Sequence, residues 1–176
     1  MSASPNLNQL PARRSEHVPT VSDSEKEETD EVCLTSFHAS PVGGGVAIGR
    51  GASGRLIRAV IGTGMAARDP LPGETWRFTG PGRMHQEHGW QIHATVALPL
   101  MPLGRTLVRY LATNARFPGV GWKTADRLWS EFGDHLHDLL RDRDVNALAE
   151  IIGAERAVSI VEGFGLFAEE VEVFRL

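Results

Sequence analysis

The sequence predicts an α+β protein: a small OB-like β-barrel followed by an all-α helix-hairpin-helix bundle. Three observations lead there. Between residues 32 and 102, short apolar runs alternate with glycine and proline clusters. From Leu103 onward, apolar residues recur at helical spacing. Within that helical stretch, Pro118-Gly119-Val120-Gly121 forms a break that neither flanking helix can continue.

The strands expected in the first region are Val32–Phe37, Val46–Ile48, Arg55–Ile61, Thr75–Thr79 and Gln91–Leu98. Gly43-Gly44-Gly45, Gly49–Gly54, Pro70–Gly73 and Gly80–Gly82 divide them. Short strands at this spacing suit a small sandwich or barrel, and five is the strand number of an OB barrel.

In the second region, Leu107, Val108, Leu111 and Ala112 form one apolar stripe, and Asn114 is placed to end that helix. A further stripe, Ala125, Leu128, Trp129 and Phe132, stops at Gly133, a natural C-cap. Leu136, Leu139 and Leu140 make another short helix, and Ala147–Ile152 and Arg156–Val161 pair around Gly153-Ala154. A last helix is expected near Ala168. It meets no stop signal, and residues 103–176 read as a helix-hairpin-helix domain.

Residues 1–31 carry three basic and seven acidic side chains and little that is apolar, and are expected to be a disordered acidic tail. Residues 32–102 hold six arginines against Asp69, Glu74 and Glu87, a net of +3, whereas residues 103–176 carry a net of −3. Any polyanion contact should therefore begin in the middle third. At 176 residues the chain has no room for a motor ATPase. The single cysteine, Cys33, excludes an intramolecular disulfide framework. No apolar run reaches the ~20 residues of a membrane span, and the start lacks a secretory signal, so a cytoplasmic protein without membrane contact is expected.

Phe117-Pro118-Gly119-Val120-Gly121-Trp122-Lys123-Thr124-Ala125 carries the chemistry. Its order is that of a helix-hairpin-helix, in which two glycines permit a tight bend and close approach of a phosphate. The next helix begins at once, so its unsatisfied amides and positive dipole end face that phosphate. Val120 would plug the bend between helices and Ala125 would let them pack closely. Expected DNA contacts are Gly119, Val120, Gly121, Lys123 and Thr124, with Arg116 and Arg127 in support. Such a device holds phosphates without reading bases. Ile152-Gly153-Ala154-Glu155-Arg156-Ala157 is a degenerate second copy whose Glu155 would repel phosphate, and its expected role is packing. On the barrel, Arg77, Arg83 and Trp90 are candidate single-strand contacts through charge and stacking, with Trp76 and Trp90 alternatively core residues.

Two other motifs fail. Gly121-Trp122-Lys123-Thr124 is not a P-loop, because Trp122 separates the glycine from the lysine and a helix precedes it. His85, His88 and His93 lie near a glycine-flanked turn without a cysteine, which fits an exposed hairpin better than a zinc site. No catalytic frame, metal site or cofactor is expected.

From about Gly73 to Leu176 the chain resembles the N-terminal region of RecD-like ATP-dependent DNA helicases. The matching residues are Pro72-Gly73-Glu74, Gly80, His85, Gly89-x-Gln91, Pro102, Tyr110-Leu111, Pro118-Gly119-Val120-Gly121, Thr124-Ala125-Asp126-Arg127, Phe132-Gly133, Arg156-Ala157-x-x-Ile160 and Glu170–Phe174. Residues 32–72 match only loosely. The resemblance implies an OB-like domain and tandem helix-hairpin-helices ahead of a 5′-to-3′ motor that binds ATP and magnesium. Those motor domains are not in this chain, which the resemblance implies is cut within its next repeat and would then be a truncated or remnant form.

The expected function is a non-catalytic, non-sequence-specific DNA-binding module for single-stranded or junction DNA. A helicase motor or repair protein is a further expected partner. The rival readings are a protein-interaction module, favoured by the net −3 of the helical region, and an enzyme, for which no residues speak.

Overall fold

A computed structural model describes residues 26–175. The protein is mixed α+β, with six strands followed by five helices. The strands are β1 (Glu27–Ala39), β2 (Gly45–Arg50), β3 (Leu56–Ile61), β4 (Thr75–His85), β5 (Gly89–Ala94) and β6 (Val96–Leu100). Alternation of buried and outward residues follows the period of two, as in Ile57, Ala59 and Ile61 of β3. The inward set, with Val32, Leu34, Trp76, Phe78 and Ile92, forms one core. Trp76 is therefore a core residue.

Strand β1 does two jobs. Its first half, Glu27–Cys33, pairs with Thr75–Pro81 of β4, and its second half pairs with β2. The register shift between Leu34 and Ser36 turns it from one neighbour to the other. The expected tail boundary at residue 31 is thus corrected. Residues 1–25 lie outside the described residues, but Glu27–Glu31 are strand. Their acidic side chains are not a solvated run: Glu31 accepts from Arg77 at 2.7 Å, Asp30 meets Arg55 at 3.5 Å and Glu28 accepts from Trp90 Nε1 at 3.0 Å. The sequence reading missed this because the partners stand 25 to 62 residues away.

The expected fifth strand, Gln91–Leu98, divides at Thr95. There the backbone N–H and Oγ1 both donate to the Thr79 carbonyl, at 2.7 and 3.0 Å. The chain thereby passes from the far end of β4, where β5 pairs, to its near end, where β6 pairs. Strand β5 also pairs in parallel with β3 over Ala59–Ile61.

The helices are α1 (Arg105–Thr113), α2 (Trp122–Phe132), α3 (His135–Arg141), α4 (Val145–Ile152) and α5 (Ala154–Val173). Leu107, Tyr110, Leu111, Phe117, Leu128, Leu140, Phe164 and Phe167 lead a second core. The expected helix near Ala168 is the continuation of the one that contains Arg156–Val161. Gly163 lies under the Phe117 ring, where a side chain would collide at 2.9 Å, whereas at Gly165 it would meet the tip of the exposed Arg143 side chain at 3.0 Å.

Four charged side chains join the two cores. Glu74, fully buried at the start of β4, accepts from the Leu71 N–H (3.0 Å), Trp76 Nε1 (2.8 Å) and both terminal nitrogens of Arg68 (3.0 and 2.7 Å). Arg68 also binds Glu170 of α5 through Nε and, at 2.9 Å, through its second terminal nitrogen. Arg116 completes the set, donating to Glu170 at 3.2 Å and lying 3.9 Å from Glu74. Burial works against the Arg68 charge, but the hydrogen bonds to Glu170 and Glu74 more than offset it and raise its pKa. The Arg68 hydrogen bond, against the opposing effect of burial, holds the Glu170 carboxyl below its ordinary value.

Glu74→Ala should cost about 3 kcal/mol in urea unfolding, because it strips partners from a half-buried guanidinium and a buried indole N–H. A loss under about 1 kcal/mol would show that this cluster does not join the cores. Glu170 gives a pH test. Its folded pKa is lowered, so its contribution is present at neutral pH and lost as pH falls from the ordinary value of 4.5 through the lower folded one. Glu170→Gln should flatten the acid limb of the stability curve there; an unchanged limb would refute the linkage.

Candidate nucleic-acid interface

The α1–α2 connection is built from successive turns. Helix α1 ends at Asn114, which is buried and whose N–H bonds the Tyr110 carbonyl. Its Oδ1 accepts from the Arg116 N–H at 3.0 Å, and its Nδ2 donates to the Pro72 carbonyl at 3.0 Å. The Phe117 N–H returns to the Asn114 carbonyl, and the Val120 N–H to that of Phe117. Phe117 meets Tyr110 edge-on, with ring centres 5.0 Å apart, and Val120 is buried as expected of a plug. Ala125 is fully buried, which admits the close helix packing its size suggested.

The outer rim of this bend is open. Pro118, Gly119, Gly121, Trp122 and Lys123 are all exposed. Gly119 has φ +77°, a left-handed conformation that L side chains rarely adopt. Gly121 is the N-cap of α2 and differs: its φ of −99° suits any residue, and a methyl group there would meet no protein atom within 4 Å. Its carbonyl accepts from the Ala125 N–H at 3.0 Å. No side chain caps the helix and no acidic residue stands in its first turn. The first-turn amides of Trp122, Lys123 and Thr124 therefore have no intrahelical acceptor.

Among the described residues, Lys123 and Arg127 make no ion pair. Both are exposed and lie one turn apart on the same face, along a shallow groove of about 490 Å³ shared with Asp126, Ser130, Glu131 and Ile151. Thr124 is half-buried beside them. Asp126, on that face, is 3.7 Å from Arg105.

The structure corrects one support. Arg116 points inward, between Glu170 and Glu74 and 5.6 Å from the Phe167 ring centre. Reaching a solvent phosphate would cost it the hydrogen bond to Glu170, so it is held in the ionic cluster and not at the rim. The structure also supplies a residue that the sequence reading assigned to packing. Helix α5 begins beside the bend, and Arg156 Nε lies 4.0 Å from where a side chain on Gly119 would start. Arg156 is exposed and makes no ion pair among the described residues. The signal was the second glycine break at Gly153, with φ +86°, which brings the α4–α5 hairpin against the first.

The expected trio of Arg77, Arg83 and Trp90 on the sheet does not assemble. In the β4–β5 register Met84 stands opposite Trp90 and Arg83 opposite Gln91, so Arg83 and Trp90 project from opposite faces. Arg77 shares the Arg83 face but lies six residues away, roughly 20 Å, and pairs with Glu31. Trp90 folds its ring across Gly82 and donates to Glu28. It remains 41% exposed, enough for one stacking contact but not for a shared platform.

No helix among the described residues is long and apolar enough to cross a membrane. No family model, curated protein or solved structure matches the chain.

The two glycines differ in what they predict. Gly119→Ala should destabilise by about 1 kcal/mol through its left-handed backbone. Gly121→Ser should be neutral or stabilising by roughly 0.3 kcal/mol, since serine caps helices slightly better than glycine. Thermal unfolding of both variants checks the contrast, and a large loss for Gly121→Ser would mean that this glycine is structural.

Proposed function

We propose that the chain is a non-catalytic DNA-binding module that grips the phosphate backbone without reading sequence. One phosphate seats on the amides of Trp122, Lys123 and Thr124, with Gly119 and Gly121 giving it room. Lys123, Arg127 and Arg156 supply the surrounding positive charge. The observation that carries this reading is Gly121, a glycine that neither the backbone nor the packing requires, at the mouth of an uncapped helix. Backbone amides and point charges carry no base information, so affinity should be indifferent to sequence.

The sheet fits an OB-like domain in the same reading. Its pairings run β1–β2–β3–β5–β4 and return to β1, which supports closure into a five-stranded barrel. With the hairpin, this supports kinship with the N-terminal region of RecD-like helicases.

Fluorescence anisotropy against single-stranded and tailed DNA over a salt series tests the proposal. Three phosphate contacts imply roughly a 20-fold to 40-fold fall in affinity between 50 and 200 mM salt. Arg156→Gln and Lys123→Gln should each weaken binding uniformly across sequences and lower the salt slope by about 1. Gly121→Ser should weaken it while leaving the fold intact, because the hydroxyl takes the amides that the phosphate needs. Absence of binding at low salt would overturn the proposal, and so would full affinity in Gly121→Ser.

A further inference from the structure

The four tryptophans differ in what holds them. Trp76 is buried in the sheet core and donates to Glu74. Trp90 lies across Gly82 and donates to Glu28. Trp129 packs against the helical core, with the Arg105 guanidinium 6.0 Å from its ring centre. Trp122 has none of this. Among the described residues its indole makes no hydrogen bond, ring contact or cation contact, and it joins neither apolar core. It is 52% exposed, the most open of the four.

The bend sets where that ring stands. Trp122 is the first residue of α2, directly after Gly121, and its own N–H is one of the three amides without an intrahelical acceptor. Successive helical residues are turned by about 100°, so the indole stands beside the line of Lys123 and Arg127 and not over it. Asp126 and Trp129, one and two turns on, share its side of the helix. The Asp126 charge is answered by Arg105 at 3.7 Å. Two other carboxylates are near: Glu131, at the far end of the Lys123–Arg127 groove, and Glu155, just before Arg156. The positive charge of Lys123, Arg127 and Arg156 still exceeds theirs.

We infer that Trp122 is a base-stacking residue, taking the flat face of an unpaired base in the strand whose phosphate sits on the bend. This rests on the phosphate-gripping reading above and adds selectivity to it. Amides and cations hold the backbone of a duplex and of a single strand in the same way. An indole needs a base whose face is not already covered, and every base offers one once it is unpaired, so the contact selects open DNA without reading sequence. A nucleotide suits both halves of the surface, its phosphate the amides and cations and its base the ring. An apolar protein partner would cover the ring but leave Lys123 and Arg127 beside it unmatched.

Anisotropy titrations of the full chain test this with a single strand, a blunt duplex of the same sequence, and a strand made wholly of abasic sites. Trp122→Ala should weaken single-strand binding about 5-fold to 150-fold, the range for one lost base stack. It should leave duplex affinity unchanged and the salt slope unaltered, because stacking releases no counterions. The abasic strand should bind the native chain no better than the single strand binds Trp122→Ala. Trp122→Phe keeps a ring and should retain most of the single-strand affinity. Quenching of tryptophan fluorescence by the single strand should be present in the native chain and largely lost in Trp122→Phe, a readout that does not need the alanine variant to fold. Full single-strand affinity in Trp122→Ala overturns the inference and leaves the hairpin reading standing. A loss shared equally by all three DNAs also overturns it, since the side chain would then only support the bend. Self-association abolished by Trp122→Ala, with DNA affinity unchanged, would assign the ring to a protein contact instead. If the native chain binds no DNA at low salt, the hairpin reading falls and this inference with it.

Discussion

Glu74 is a carboxylate with no exposure to water, and a carboxylate in that position is tolerable only while its oxygens are fully engaged. Its partners come from the β3–β4 connection (Leu71 N–H and Arg68) and from β4 itself (Trp76). Arg68 in turn needs Glu170, and Glu170 needs Arg116. The chain of need therefore runs from the sheet, through α5, to the residue just before Phe117. The sheet and the helices keep separate apolar cores, so this ionic cluster fixes how one sits on the other. Asn114 adds a neutral tie to Pro72 beside it. A buried ion cluster is poor at adding net stability but good at permitting a single arrangement, and the open rim of the hairpin inherits its orientation from that arrangement.

What was legible in the sequence was what local chemistry decides. The α1 and α2 stripes, the Asn114 stop, the Gly133 cap and the buried roles of Val120 and Ala125 all follow from spacing and residue type. What was not legible depended on partners distant along the chain. Glu27–Glu31 look like a solvated acidic run until the arginines and tryptophan across the sheet are seen. The last helix expected near Ala168 is the continuation of α5, whose Gly163 sits under the Phe117 ring. Arg116 and Arg156 exchange roles for the same reason. Both are arginines near a glycine bend, and only the packing of α5 shows that the first faces carboxylates and the second faces the bend.

The middle third's positive surplus also dissolves on folding. Arg55 and Arg77 are paired with Asp30 and Glu31, so counting charge by segment overstated the sheet as a polyanion surface. The unpaired cations that matter cluster on the helical side, in a region whose net charge is negative. Local arrangement outweighs the segment total here, because exposed charges act over about 8 Å at physiological salt.

The hairpin's two glycines separate structural need from functional room. At Gly119 the backbone angle accounts for the residue, and any ligand argument from it is redundant. At Gly121 the backbone is ordinary and the space above it is empty, so nothing inside the protein accounts for the missing side chain. A serine there would satisfy a first-turn amide at a gain of roughly 0.3 kcal/mol, because glycine is itself a tolerated N-cap. The bare end is flanked by Lys123, Arg127 and Arg156 and backed by the buried Phe117 and Val120. In the proposed reading the amides are already aligned and the loop already ordered, so little freedom would be lost on binding and weak individual hydrogen bonds would suffice for a phosphate.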